Sequence, residues 1–162
     1  MIPKRDDPVF PELFVMNTVF GGYFGSRLMA NIREDKGYTY GIYSSLLSYI
    51  HAGVMMIGTE AGKEVCEQTI VEVKKEMKLM QETLVPEQEL LLVKNYLLGS
   101  ILGDLDGPFS IMQRWKNLIL NDQDIHTFNR NIKVYKNITP QRLQELAQMY
   151  LHEAAFYELV VT

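Results

Sequence analysis

Between Gly21 and Ser45 the chain passes from helix chemistry to strand chemistry within a few residues, GGYFGSRLMANIREDKGYTYGIYSS, and no other stretch constrains the fold as tightly. Gly21-Gly22 interrupts the apolar segment before it, because glycine has no side chain and weakens a helix. Ser26 offers a helix cap, and Arg27 to Asp35 reads as a short helix with Leu28, Met29 and Ile32 on its apolar side. Gly37 ends that helix, since a glycine just past the last turn accepts the left-handed conformation. Tyr38 to Leu47 follows as a strand rich in tyrosine and in β-branched or small residues. A charged helix end, Arg33 to Lys36, is thereby delivered onto the start of a strand. Arg33 and Tyr40 stand seven residues apart across that corner.

The flanking sequence supplies the layers for this corner. Residues 1–11 carry three prolines and four charges and read as an extended linker. Glu12 to Phe20, apolar on most sides, reads as a buried helix ending at the glycine pair. A turn near Tyr49 to Gly53 leads to a second strand, Val54 to Glu60, so the two strands form an antiparallel hairpin. From Lys63 to Thr83 the residues Cys66, Ile70, Val73, Met77 and Met80, continuing to Leu84, recur at helical steps. Pro86 opens another helix with Leu90, Val93, Leu97 and Ile101 on one face, and Asp104 to Pro108 is a turn. Phe109 to Leu120 reads as a helix holding Trp115. Asp122 or Asp124 caps the next, whose face is Ile125, Phe128, Ile132 and Tyr135. Thr139-Pro140 caps a last helix with Leu143, Leu146, Tyr150 and Leu151, and Phe156 to Val161 is predicted to return to the sheet as a strand.

Strands that pair as a hairpin, rather than alternating with helices, predict an α+β fold: an antiparallel sheet with helices packed on one face. A chain of 162 residues, 47% hydrophobic and 22% charged, suffices for one domain with its own core.

Most chemistry is excluded by what is missing. A formal net charge of -4 leaves no basic footprint for nucleic acid. No apolar run reaches the length of a membrane span, so no integral membrane segment is expected. The opening MIPKRDDPVF is polar and proline-bearing, unlike a secretory leader. One cysteine, Cys66, excludes an internal disulfide and sits on a helix's apolar stripe, where it reads as core. His51, His126 and His152 are too far apart to share a helix face, and neither HExxH nor HxxEH occurs, so no metal site is expected. GGYFGSR lacks the lysine and spacing of a phosphate loop. What remains is Arg33 with Tyr40. On spacing alone the structural reading is favoured over a functional one: an arginine at a helix end complements the dipole, and a strand tyrosine packs.

The stretch GGYFGSRLMANIREDKGYTYGI resembles the signature of the C-terminal half of M16 family zinc peptidases, the pitrilysin and mitochondrial processing peptidase family. Its elements fall on Gly21, Gly22, Ser26, Arg27, Leu28, Arg33, Gly37 and Tyr40. The resemblance implies a LuxS-MPP-like metallohydrolase half-domain over residues 12–162, lacking an initial strand or two. It implies a clamshell of two homologous halves, with zinc in the N-terminal half and none in this chain. That partner half would be part of the same polypeptide or a separate subunit, and the substrate a peptide. By motif position the catalytic and substrate-binding residues would be Arg33 and Tyr40, and Tyr38, expected on the same strand face as Tyr40, would join the substrate-binding wall. The alternative the family offers is a non-catalytic scaffold, like the core subunits of the respiratory cytochrome bc1 complex. Bacterial periplasm and cytoplasm are equally compatible with the sequence.

Overall fold

The computed structural model describes residues 1–49, 51–103, 105–124 and 126–161. Asp7 prepares the first helix: its Oδ1 accepts from the Val9 N–H at 2.8 Å and its carbonyl from the Phe10 N–H at 3.0 Å. Helix α1 (Phe10–Asn17) then starts with Pro11 in its first turn, where a missing N–H costs nothing. It widens into a π turn over Thr18–Gly22 and stops at Tyr23, whose backbone is extended. Leu13, Val15, Met16, Val19 and Phe20 lie at the centre of the core.

Arg27 to Asp35 is helical, as predicted, and takes wider π turns over Met29–Asp35. The Lys36 N–H closes it on the Asn31 carbonyl at 2.9 Å, and Gly37 follows with φ +66°. Strands β1 (Thr39–Ser48) and β2 (Gly53–Ala61) pair antiparallel, with Ser44 opposite Ile57 and Leu46 opposite Met55. Ile42, Ser44 and Met55 are buried, and Leu46 and Ile57 pack against the core. Tyr43, Leu47, Val54 and Met56 alternate to the outer face. The ladder slips between Thr39 and Ile42, so the first residues of β1 leave the regular register. The hairpin turn is closed by the Tyr49 N–H on the Ala52 carbonyl at 2.8 Å, and its Ile50 lies outside the described residues.

Helices α2 (Cys66–Glu82), α3 (Glu87–Gly103), α4 (Pro108–Leu120), α5 (His126–Asn137) and α6 (Pro140–Tyr150) follow. Helix α6 packs on α1 and α2, and α5 on α1 and α3. Leu90, Val93, Leu97, Leu143, Leu146 and Leu151 complete the core behind the hairpin. The molecule is therefore α+β, with two antiparallel strands among the described residues. The Thr139 hydroxyl accepts from the Arg142 N–H at 3.2 Å, as its predicted capping role requires. Asp124 is the cap before α5, accepting from the Thr127 N–H at 2.8 Å, while Asp122 (φ +51°) shapes the turn before it. Ile125 of the predicted α5 face and Asp104 of the predicted turn lie outside the described residues.

Three expectations differ from the structure. The predicted closing strand, Phe156–Val161, pairs with neither β1 nor β2 over residues 156–161. A strand needs a neighbour for its backbone hydrogen bonds, and this segment is led along α2 instead. Lys74 holds Glu153 at 2.9 Å and Glu158 at 2.6 Å. Leu84 is exposed and Val85 buried, because the chain turns extended at Thr83 and the helical phase is lost. Residues 1–11, read as a linker, are tied to the domain. The Ile2 N–H donates to the Gly53 carbonyl at 3.0 Å, the Arg5 N–H to the Ser48 hydroxyl at 3.0 Å, and Gln123 to the Arg5 carbonyl at 2.6 Å. Among the described residues no helix is long and apolar enough to cross a membrane.

Candidate functional site

The helix carrying Arg33 is fastened on three sides. Arg27 donates through Nε and Nη2 to both carboxylate oxygens of Glu89 on α3, at 2.8 and 2.9 Å. This fork raises the Arg27 pKa further, against the opposing effect of burial. Asn31 donates to Glu72 at 2.9 Å and to Glu76 at 2.8 Å, joining the helix to α2. The same amide, ahead of all other influences, holds the Glu72 carboxyl below its ordinary range. The Tyr38 N–H reaches the Ile32 carbonyl at 3.0 Å, and the Ile42 N–H meets Met29 Sδ at 3.4 Å.

Gly21 has a second reason to be glycine beyond breaking a helix. A Cβ there would lie 2.7 Å from Ser44 Cβ and 2.9 Å from Ser44 N. Strand β1 crosses the end of the first helical segment at backbone contact, and only a hydrogen side chain fits. Beside this crossing, Asn17 Nδ2 donates to the Ser44 carbonyl at 3.0 Å, and the Ser44 hydroxyl donates to Asn17 Oδ1 at 2.5 Å. Both residues are buried. The predicted side-chain cap by Ser26 does not form. Its hydroxyl is buried without a partner, and its backbone makes the turn, with the N–H on the Tyr23 carbonyl and the carbonyl accepting from Ala30.

Arg33 lies in the last turn of this helix with its guanidinium over the ring of Phe24, 4.6 Å from the centroid. It donates no hydrogen bond among the described residues, and its nearest carboxylate, Glu34, is 3.8 Å away and largely exposed. The two arginines, six residues apart, therefore differ: Arg27 is forked to Glu89, and Arg33, its side chain 34% exposed, makes no such fork. Tyr40 is fully exposed, although Ile42 and Ser44 two and four residues later are buried. No hydrogen bond or ring contact links Arg33 to Tyr40. Tyr38 precedes β1 and packs against the core. The alternation that predicted one shared face for Tyr38 and Tyr40 does not run through this corner, because the strand begins at Thr39 and its register slips directly after.

Phe24, Asn31, Glu76 and Glu89 were not legible as parts of this site. Each acts through a partner distant in sequence or, for Phe24, through a turn that folds its ring beneath Arg33. The one available signal was Glu89 in the first turn of α3, which also suits the helix dipole.

His51, His126 and His152 are all exposed, in the hairpin turn, at the head of α5 and after α6. Among the described residues no group of three histidine, cysteine or acidic side chains could hold a metal ion. Among the described residues the donor set does not fit a zinc site.

The sequence profile described as the peptidase M16 inactive domain matches residues 2–97. The uncharacterized zinc protease YmxG of Bacillus subtilis (strain 168) is 29% identical over 143 residues, covering 88% of this chain and 35% of that protein. A crystal structure of a peptidase M16 inactive domain from Pseudomonas fluorescens superposes with a TM-score of 0.82 at 24% identity, over 92% of this chain and 36% of that one. An inactive peptidase domain from Bordetella parapertussis gives a TM-score of 0.79 at 15% identity, over 94% of this chain and 83% of that one. The chain spans about a third of the length of the curated relatives it matches. Its helix-to-strand corner, its helices layered on an antiparallel hairpin and the profile over residues 2–97 lead to one assignment: the chain belongs to the M16 peptidase family, as its inactive, C-terminal type of domain.

Proposed function

We propose that this domain, with residues 12–162 as its body, serves as the substrate-holding half of a two-half zinc metallopeptidase. The observation that carries the reading is the contrast within the corner. Arg27 is spent on Glu89, while Arg33, its side chain 34% exposed, donates no hydrogen bond among the described residues and Tyr40 is fully exposed. Among the described residues the Tyr40 ring makes no packing contact with the core, and the Arg33 guanidinium is held by the Phe24 ring and only loosely by the carboxylate of Glu34 at 3.8 Å. Both features suit groups that await a ligand.

In this reading a peptide lies across the corner in extended form. The Arg33 guanidinium offers a planar fork of donors and a charge that is never lost. The Tyr40 hydroxyl offers one directed donor. Together they hold the backbone carbonyls of the peptide and stabilise negative charge developing on the scissile one. Phe24 limits the directions in which the guanidinium can swing, and Tyr38 borders the corner from its buried side. The metal belongs to the partner half, in the same polypeptide or a separate subunit, and the chemistry it supplies is activation of the attacking water.

The test is kinetic and uses the assembled two-half protein. Arg33→Ala and Tyr40→Phe should each lower turnover of a peptide substrate by about 100-fold, the usual loss for one oxyanion donor. Zinc content should stay as in the unsubstituted protein. Unaltered turnover in both variants would remove the catalytic role and leave the domain as a scaffold.

A further inference from the structure

Helix α4 carries its apolar side outward. Gly107, at φ +90°, turns the chain into Pro108, and the helix that follows buries none of its residues. A cavity separates it from α3 and α5, with Phe14 and Tyr135 on the far wall. The side of α4 that faces this cavity is largely polar: Ser110, Gln113, Arg114 and Asn117, with Phe109 and Leu118 at its edges. Arg114 is engaged on that inner side, its guanidinium 4.5 Å from the Phe128 ring centroid.

The opposite side is apolar. Ile111, Met112, Trp115 and Ile119 line none of the cavity and are 42, 60, 46 and 73% exposed. At 3.6 residues per turn, Met112, Trp115 and Ile119 form one narrow stripe, extended by Pro108 and flanked by Ile111. Their steps of three and four residues are those of a seam between two helices. A surface helix ordinarily turns its apolar stripe to the core and its polar side to water. On α4 the two are exchanged, and the one charged residue bordering the stripe is Lys116.

Charge and area narrow what covers it. Asp106 and Asp122 are exposed at the two ends of the helix and the chain carries a net charge of -4, which disfavours an anionic lipid surface. The exposed parts of the stripe amount to roughly 450 Å² of apolar surface, scaled from the size of such side chains. At the ~60% apolar share of a protein interface this corresponds to roughly 700 Å² per partner, within the about 600–1,000 Å² that a standard contact takes from each side. We infer that a second copy of this chain docks here, α4 against α4 about a two-fold axis. Antiparallel alignment sets the two helix dipoles head to tail and places Trp115 against Met112 of the other copy, a sulfur–aromatic contact. None of these residues belongs to the Arg33 and Tyr40 corner, so the inference stands apart from the peptide-holding role.

Sedimentation equilibrium of the purified chain tests it. A monomer–dimer equilibrium with a dissociation constant on the order of 10 µM is expected. Trp115 is the chain's only tryptophan, so its emission should move to the blue over the same concentration range. Met112→Glu and Trp115→Lys should each weaken association about tenfold or more. Both positions are exposed, so the unfolding midpoint of the monomer should not move. Mixing the two variants should restore a dimer, because antiparallel pairing brings the introduced carboxylate opposite the introduced ammonium. The inference is overturned by a chain that stays monomeric at about twenty times that dissociation constant, by a dimer that both variants leave intact, or by dissociation that mixing does not reverse. A monomer that sediments with phosphatidylglycerol vesicles would overturn it in favour of a lipid surface.

Discussion

Arg27 and Glu89 are 62 positions apart in sequence and meet in a two-point ion pair, Nε to Oε1 at 2.8 Å and Nη2 to Oε2 at 2.9 Å. The pair is mostly shielded, with the side chains 16% and 29% exposed. It joins the helix that carries Arg33 to the first turn of α3. Exposed pairs contribute well under 1 kcal/mol and breaking a fully buried one costs several. Arg27→Ala should therefore destabilise the domain by about 2 kcal/mol, read as a lower urea midpoint at unchanged slope. Arg27→Lys should recover only part of this, because lysine keeps the charge without the fork. Equal midpoints for all three proteins would show that the pair is decorative.

Two glycines should respond to alanine in opposite directions. At Gly21 the new methyl would meet Ser44 of β1 at 2.7 Å, and neither the strand nor the helix end can move alone. Gly21→Ala should cost about 1–3 kcal/mol. Gly99 lies inside α3 with nothing within 4 Å of where a Cβ would stand. Gly99→Ala should stabilise by about 0.5–1 kcal/mol through helix propensity and lower entropy of the unfolded chain. Thermal unfolding of both variants checks the signs.

Tyr135 should make the domain sensitive to alkali. Its folded pKa is raised from 10.0 to about 12, chiefly by burial. A group with a raised folded pKa stabilises fully below its unfolded pKa and loses that contribution as pH rises toward the folded value. The loss therefore falls between about pH 10 and about pH 12. Of the nine tyrosines, Tyr135 should form phenolate last in an absorbance titration, burial also raising Tyr23, and Tyr135→Phe should delete the last component. A titration curve identical in the variant would show that Tyr135 is freely solvated.

The acid side depends on Asn31. Its amide holds Glu72 below the ordinary 4.5 of a glutamate and also bonds Glu76. A depressed carboxyl stabilises the fold above its unfolded pKa, and that contribution fades as pH falls through the lower folded value. Asn31→Ala should therefore flatten the fall in urea midpoint below about pH 4.5, while lowering the midpoint near neutral pH. An unchanged acid profile in the variant would place the pH dependence elsewhere.

The short helix, the left-handed Gly37, the hairpin and the cap at Thr139 were readable because each depends on residues a few positions apart. Helix period, glycine conformation and hydroxyl capping are local physics. The Arg33 and Tyr40 spacing was readable as a resemblance and ambiguous as chemistry. The same two residue types would also serve a helix dipole and a packed strand. The predicted strand Phe156–Val161 failed because apolar β-forming composition does not name a pairing partner, and Lys74 on α2 holds the segment through Glu158 instead.

By itself the order of residues determined where backbone conformation changes: at the glycine pair, at Gly37, at the hairpin turn, at Pro86 ahead of α3 and at Pro140 at the start of α6. Only the tertiary structure decided which arginine of the corner is forked to a carboxylate and which is not, why Gly21 tolerates no side chain, and that α4 leaves a cavity beside Tyr135. The reason is one of range. Torsional preference and periodic burial act within a turn or two of the chain, whereas ion pairing, steric exclusion and desolvation depend on groups that come together only when distant segments have packed.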